Sequence, residues 1–279
     1  MSETAKPREA ISQAAARQQL KSCVTGPIAE MPLLRQSLLF AELSLISYMS
    51  HHEVLASIEK LGLPEVRFFD RDGSQAYSFS NDHDTVLAFR GTEPNEWNDI
   101  RADVNAIADV AETIGRVHRG FKQEADDLWP LIEDRLSNDK NTLWFCGHSL
   151  GGAMATICAG RCKISATLAD PAGLFTYGSP RVGDKRYVNY AKLEYYRWVN
   201  NNDIVTRVPP RWMGYRHTGR EMYLNAYGKI RKLSGWQRAK DRWRGFWGSL
   251  RYGRVDHFSD HSILEYVKHI ENAVAQQEG

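Results

Sequence analysis

A serine flanked by glycines, set between an apolar run and a helix-forming run, limits this chain more than any other feature. Leu143-Trp144-Phe145-Cys146 is short, apolar and bounded by polar residues, the pattern of a buried strand. Ala153 to Cys162 reads as helix. Between them stands Gly147-His148-Ser149-Leu150-Gly151, a G-x-S-x-G in its required strand–turn–helix setting. Such a turn brings two backbones close together, so its flanking positions must be small, and Gly147 and Gly151 meet that demand. It also lifts the Ser149 oxygen to the end of the strand, and the helix N-terminus turns N–H groups toward it. An incidental glycine-rich turn is the alternative, but the flanking strand and helix argue against it.

The rest of the chain supplies the layers such a turn needs. The spacing of Leu38, Leu39, Leu43, Ile46 and Leu55 predicts helix across 34–60. Val66 to Phe69 and Ala76 to Phe79, joined through Asp72-Gly73, predict a hairpin. Thr85 to Phe89 reads as a buried strand. Helix is then expected over Glu124–Leu136, strand over Gly173–Tyr177, a short helix over Tyr187–Leu193, strand over Tyr195–Val199 and a final helix over Ser262–Ala275. Strand–helix alternation predicts an α/β fold, a mostly parallel central sheet with helices on both faces. With neither repeats nor an evident linker, 31–279 is expected to be one domain, preceded by a flexible tail over 1–30.

Composition sets outer limits. With 279 residues, 42% hydrophobic and 25% charged, the chain is an ordinary globular one. Its net charge of +2 points to no partner, but the distribution does. Residues 207–254 hold thirteen Lys or Arg against two acids, Glu221 and Asp241, an asymmetry that suits an anionic surface. Cys23, Cys146, Cys158 and Cys162 have neither zinc nor haem spacing and fit a reducing compartment better than a disulfide framework. Met1 to Gln19 has no apolar signal-peptide core, and no run reaches the roughly 20 apolar residues of a membrane span. A cytoplasmic protein, peripherally membrane-bound at most, is expected.

A serine hydroxyl is a weak nucleophile until a base takes its proton. Around this kind of turn the acid and then the histidine follow the serine in chain order. Asp203, on a loop after the Tyr195–Val199 strand and three asparagines, is the expected acid; Asp170 is the next choice. His257 and His261 are both candidates for the base. The Leu150 N–H, directly after the nucleophile, is the expected first donor to an oxyanion. This chemistry needs no metal or cofactor. His118 and His217 are expected to be structural, and His148 to shape the turn.

Several segments, taken in order, give a more specific reading: Phe89-Arg90-Gly91-Thr92, Val117-His118-Arg119-Gly120-Phe121, Gly147 to Gly152, Thr176 to Gly183, Asn202-Asp203-Ile204-Val205 with Val208-Pro209-Pro210, and Tyr215 to Glu221. Together they resemble the class 3 lipases, the fungal-lipase-like branch of the α/β-hydrolases, over about residues 80–270. The resemblance implies a serine carboxylic-ester hydrolase acting on acylglycerols or phospholipids through an acyl-enzyme on Ser149. It supports Asp203 as the acid and implies Thr92 as the second oxyanion residue. It favours His261 as the base, since Tyr266 lies five residues beyond it as in the family's "DHS" signature. "DHxS", which also occurs in fungal members, fits His257. A short-acyl esterase or thioesterase, or a catalytically silent lipid-binding module on the same fold, are the rival readings.

Two further segments carry surface expectations. In related lipases a helix after the oxyanion strand acts as a lid; here the acidic stretch 93–109, with Trp97, Ile100, Val104 and Ile107, corresponds to it, an ordinary packed helix being the alternative. Residues 235–254 combine Trp236, Trp243, Phe246 and Trp247 with Arg238, Arg242, Arg244 and Arg251. That composition suits contact with an anionic membrane, against the alternative of an insertion packed on the domain. No recognition motif for nucleic acid accompanies it, and none is expected as partner.

Overall fold

A computed structural model of the chain describes residues 20–91, 108–111, 114–190, 192–231, 237 and 259–278. Its helices are α1 (Leu33–Ile46), α2 (His51–Ile58), α3 (Arg119–Leu136), α4 (Leu150–Ile164), α5 (Lys185–Tyr190) and α6 (Ile263–Glu278). Its strands are β1 (Glu65–Arg71), β2 (Ser74–Ser80), β3 (Asp84–Phe89), β4 (Ala108–Val110), β5 (Arg116–His118), β6 (Thr142–His148), β7 (Pro171–Tyr177), β8 (Gly183–Asp184), β9 (Tyr195–Asn200), β10 (Tyr215–Arg216) and β11 (Arg220–Leu224).

The main sheet has the order β1-β2-β3-β6-β7-β9-β11. β1, β2 and β3 pair antiparallel, whereas β3, β6, β7, β9 and β11 run parallel. At the β1–β2 hairpin Asp72 and Gly73 both have positive φ, 54° and 91°, the conformation whose twist matches that of the flanking strands. A central parallel strand is covered on both faces, so it reads as a continuous apolar run instead of an alternating one. β6 shows this residue by residue. Trp144 and Cys146 face a core shared with Phe40 of α1 and Tyr266 and Ile270 of α6. Leu143 and Phe145 face a second core with Leu128 and Ile132 of α3 and Met154 and Cys158 of α4. Helices on both faces of a mostly parallel sheet are the α/β-hydrolase architecture expected above.

Three expectations need correction. The single helix over 34–60 is two helices, because Ser50 and Glu53 form a capping box that starts α2 afresh; the Ser50 and Glu53 side chains close that box more firmly than the leucine spacing continues α1. The flexible tail does not extend to residue 30. Ile28 is fully buried and its N–H donates to Asp84 Oδ2 at 2.9 Å, while Glu42 of α1 accepts from the N–H groups of Lys21 and Ser22. Residues 1–19 lie outside the described residues. Finally, a small sheet in the order β10-β8-β5-β4 was not anticipated, since strands of two or three residues carry no periodicity to read.

Candidate active site

The carboxyl ends of the parallel strands carry the site, as open α/β sheets require. Ser149 sits between β6 and α4 with φ 60° and ψ −128°, a backbone region that costs a non-glycine residue of order 1–3 kcal/mol. Its N–H donates to Tyr177 O on the neighbouring β7 at 2.9 Å, and this bond helps to hold the strained turn. The flanking glycines are steric requirements. A Cβ on Gly147 would collide with the Gly151 backbone, and one on Gly151 with Phe89 O. The small residues therefore let α4 start directly against the ends of β3 and β6.

Asp203 and His261 meet Ser149 there. His261 Nε2 lies 2.8 Å from Ser149 Oγ, and His261 Nδ1 lies 2.9 Å from Asp203 Oδ2. A carboxylate only accepts, so Nδ1 carries the hydrogen and Nε2 is left to accept from the serine hydroxyl. Asp203 and Ser149 are fully buried and His261 nearly so. Asp203 Oδ1 accepts the Val205 N–H at 2.9 Å, and Oδ2 also accepts the Tyr266 hydroxyl at 2.6 Å. Gly178, with φ +62°, brings the end of β7 so close that a Cβ there would stand 2.6 Å from Asp203 Oδ2 and 2.8 Å from His261 Nδ1.

A second set of bonds fixes the histidine's backbone. His148 Nε2 lies 2.6 Å from His261 O, and a carbonyl only accepts, so this nitrogen donates. Burial first, and then the neighbouring His261 ring, hold His148 well below the usual imidazole range. His148 is therefore neutral, and its Nδ1 accepts the Tyr48 hydroxyl at 2.9 Å. His148 thus bridges the Tyr48 hydroxyl and the His261 backbone carbonyl. Asp260 anchors the same segment: its Oδ2 accepts the Asn202 N–H at 3.2 Å and its carbonyl accepts the Asn200 amide at 3.1 Å.

The other candidates fall elsewhere. Asp170 is exposed and ion-paired with Lys163 on the surface, away from Ser149. His118 accepts the Phe121 N–H and caps α3. His217 is bonded to Thr206 O at 2.7 Å. Leu150 opens α4, so its N–H is among the donors a helix start leaves without an intrahelical acceptor. Thr92, His257, the segment 93–107 and all but Gln237 of 235–254 lie outside the described residues. Tyr48, Asp260 and Gly178 touch this cluster, and the sequence did not single them out. Gly178 lies inside a quoted motif, but nothing in the sequence marks Tyr48, which stands 100 residues from its partner.

Residues 86–213 match the family model for Lipase (class 3). The chain is 38% identical over 117 residues to secreted mono- and diacylglycerol lipase 1 of Fusarium solani, which covers 39% of this chain and 34% of that protein. It is 31% identical over 191 residues to Toxin TseL of Vibrio cholerae serotype O1, covering 52% of this chain and 29% of that one. The aligned parts thus span about a third of these curated relatives. Among solved structures, Rhizomucor miehei triacylglyceride lipase superposes with a TM-score of 0.58 at 24% identity, over 68% of this chain and 80% of that one. The fold is that of the α/β-hydrolases. Within that class, residues 86–213 are similar to the class 3 lipases.

Proposed function

We propose that this chain is a serine carboxylic-ester hydrolase acting on acylglycerols or phospholipids. The observation that carries the reading is His261 standing between Ser149 Oγ, at 2.8 Å, and Asp203 Oδ2, at 2.9 Å. In the reaction His261 Nε2 takes the hydroxyl proton as Ser149 Oγ bonds to the ester carbonyl carbon. Asp203 keeps the imidazole oriented and stabilises the imidazolium. The oxyanion is held by the Leu150 N–H and by Thr92. The carbon–oxygen bond to the alcohol then breaks, and His261 returns the proton to the departing alcohol. Water, deprotonated by the same nitrogen, attacks the acyl-enzyme and releases the acid. The names of the similar proteins, acylglycerol lipases among them, support the substrate class.

A fluorophosphonate probe should label Ser149, and Ser149→Ala should lower ester turnover by several orders of magnitude with the fold intact. Turnover retained in Ser149→Ala, with labelling at another serine, would overturn the assignment. Comparing emulsified with soluble esters separates a lipase from a short-acyl esterase.

For setting, we infer the cytoplasm, with peripheral membrane contact through 235–254. Support comes from the cysteines, since Cys146, Cys158 and Cys162 are buried core residues, and from the basic aromatic composition of that segment. Among the described residues no helix is long and apolar enough to cross a membrane. Cell fractionation tests the setting. Replacing Arg238, Arg242 and Arg244 by Gln should weaken vesicle binding and spare a soluble ester.

A further inference from the structure

The loops that leave β7 and β9 carry Gly178 and Asp203, and a few residues further on they carry a group of arginines. Arg181 Nη1 donates to Pro209 O at 2.9 Å and also to Arg207 O. Arg216 Nη1 donates to Arg211 O at 2.7 Å and to Tyr215 O at 2.8 Å. These guanidinium groups are thus positioned by backbone carbonyls, which are neutral acceptors and leave the positive charge in place. Among the described residues one carboxylate is ion-paired within the group, Glu221, and it faces Arg197 at 2.7 Å. The crowding has an electrostatic signature: burial first, then Arg211, Arg197, Arg216 and Arg207, push Arg181 down to about 10. On the outer side of the group the single turn Arg211–Met213, begun by Pro210 and ended by Gly214 at φ 92°, holds Trp212 with 82% of its surface exposed.

We propose that Arg211, Trp212 and Arg216, backed by Arg181, form a docking surface for membranes rich in anionic phospholipid. The chemistry of both residue types fits that partner. Guanidinium forks match phosphate oxygens and shed water more readily than ammonium groups. An indole on a surface turn, apolar in body and polar at its N–H, suits the headgroup layer. Each arginine near such a surface contributes about 1 kcal/mol, and a net positive cluster attracts anions over about a Debye length, roughly 8–10 Å at ordinary salt. A nucleic acid would also meet the charge, but a lone projecting tryptophan on a single turn offers no run of aromatics on which successive bases could stack. Binding to this surface does not depend on hydrolysis.

The test uses the full chain carrying Ser149→Ala, so that vesicles stay intact whether or not the hydrolase reading holds. Sedimentation with phosphatidylcholine vesicles, with and without phosphatidylglycerol, should show binding that requires the anionic lipid and weakens with salt. Arg211→Gln should weaken that binding about fivefold, and Trp212→Ala by a similar factor, while Arg211→Lys and Trp212→Phe should retain most of it. Both positions are exposed, so melting temperature should not move, and in the Ser149 background turnover of a soluble ester should not move either. Equal binding to neutral vesicles, or undiminished binding in Arg211→Gln and Trp212→Ala, would overturn the proposal. So would binding that duplex DNA displaces and that Trp212→Ala leaves unchanged, an outcome that would mark a nucleic-acid surface.

Discussion

The Tyr266 hydroxyl donates to Asp203 Oδ2 at 2.6 Å, and that same oxygen faces His261 Nδ1 at 2.9 Å. Tyr266 is itself held, because its oxygen accepts the Asn200 N–H at 2.9 Å. Burial, and then the adjacent Asp203 charge, hold the phenol well above its usual range, so it stays a donor. A hydrogen bond to a charged group contributes about 1.5–3 kcal/mol. Tyr266→Phe keeps the ring in the core and removes only this bond. Turnover should fall about tenfold with little change in KM. Unchanged turnover in steady-state kinetics would show that the Val205 N–H and His261 suffice to place the acid.

Ser149 and His261 should behave as one unit. Ser149→Ala and His261→Ala should each cost several orders of magnitude in kcat, and the double substitution should cost little more than either alone. Additive losses would mean that the two side chains act in separate steps.

Gly178→Ala tests steric fit at the same point. The new Cβ would press on both Asp203 Oδ2 and His261 Nδ1, and φ +62° adds strain of its own. Displacement of catalytic groups by about 1 Å can cost about 100-fold in rate, so a loss of that size is expected with circular dichroism unchanged. Gly73→Ala is the control. Its φ is +91° but open space surrounds it, so it should lower stability by about 1 kcal/mol and leave activity intact.

Glu42 makes stability depend on pH. Burial pushes its carboxyl from 4.5 up to about 7, against the opposing hydrogen bonds from Lys21 and Ser22; Glu271 nearby adds a small upward push. Between those values the folded chain holds a proton that the unfolded chain has lost, so this group's contribution falls as pH rises from about 4.5 to about 7 and is level above. The total is on the order of 3 kcal/mol. Denaturant titrations of Glu42→Gln should lack this slope, and the variant should exceed the parent most clearly near pH 8. Parallel pH profiles for the two proteins would show that Glu42 does not carry the effect.

Legibility in the sequence followed the range of the interactions. The turn around Ser149 was readable because its glycines, strand and helix are all local, and Asp203 because chain order and an asparagine-rich strand end point to it. The parallel core strands announced themselves by unbroken apolar runs such as Leu143 to Cys146. The break between α1 and α2 was present as Ser50-His51-His52-Glu53, but the leucine spacing ran across it and obscured the cap. The packing of residues 20–30 was not readable: the Ile28 N–H is held by Asp84, 56 residues away, in a segment with no helical or strand periodicity. The tether from Tyr48 through His148 to the His261 carbonyl was hidden for the same reason.

The anchoring of Asp260 and His261 has a consequence for how this chain can change over time. Within two consecutive residues, Asp260 grips Asn200 and Asn202 while the His261 carbonyl is gripped by His148. His261 is therefore held to the ends of β6 and β9 by its own neighbours. The entropy of closing a connection between Arg231 and Ser259 grows only slowly with the number of residues in it. A change of length between those two points should therefore leave His261 in place, because the bonds that hold it lie within two residues of chain.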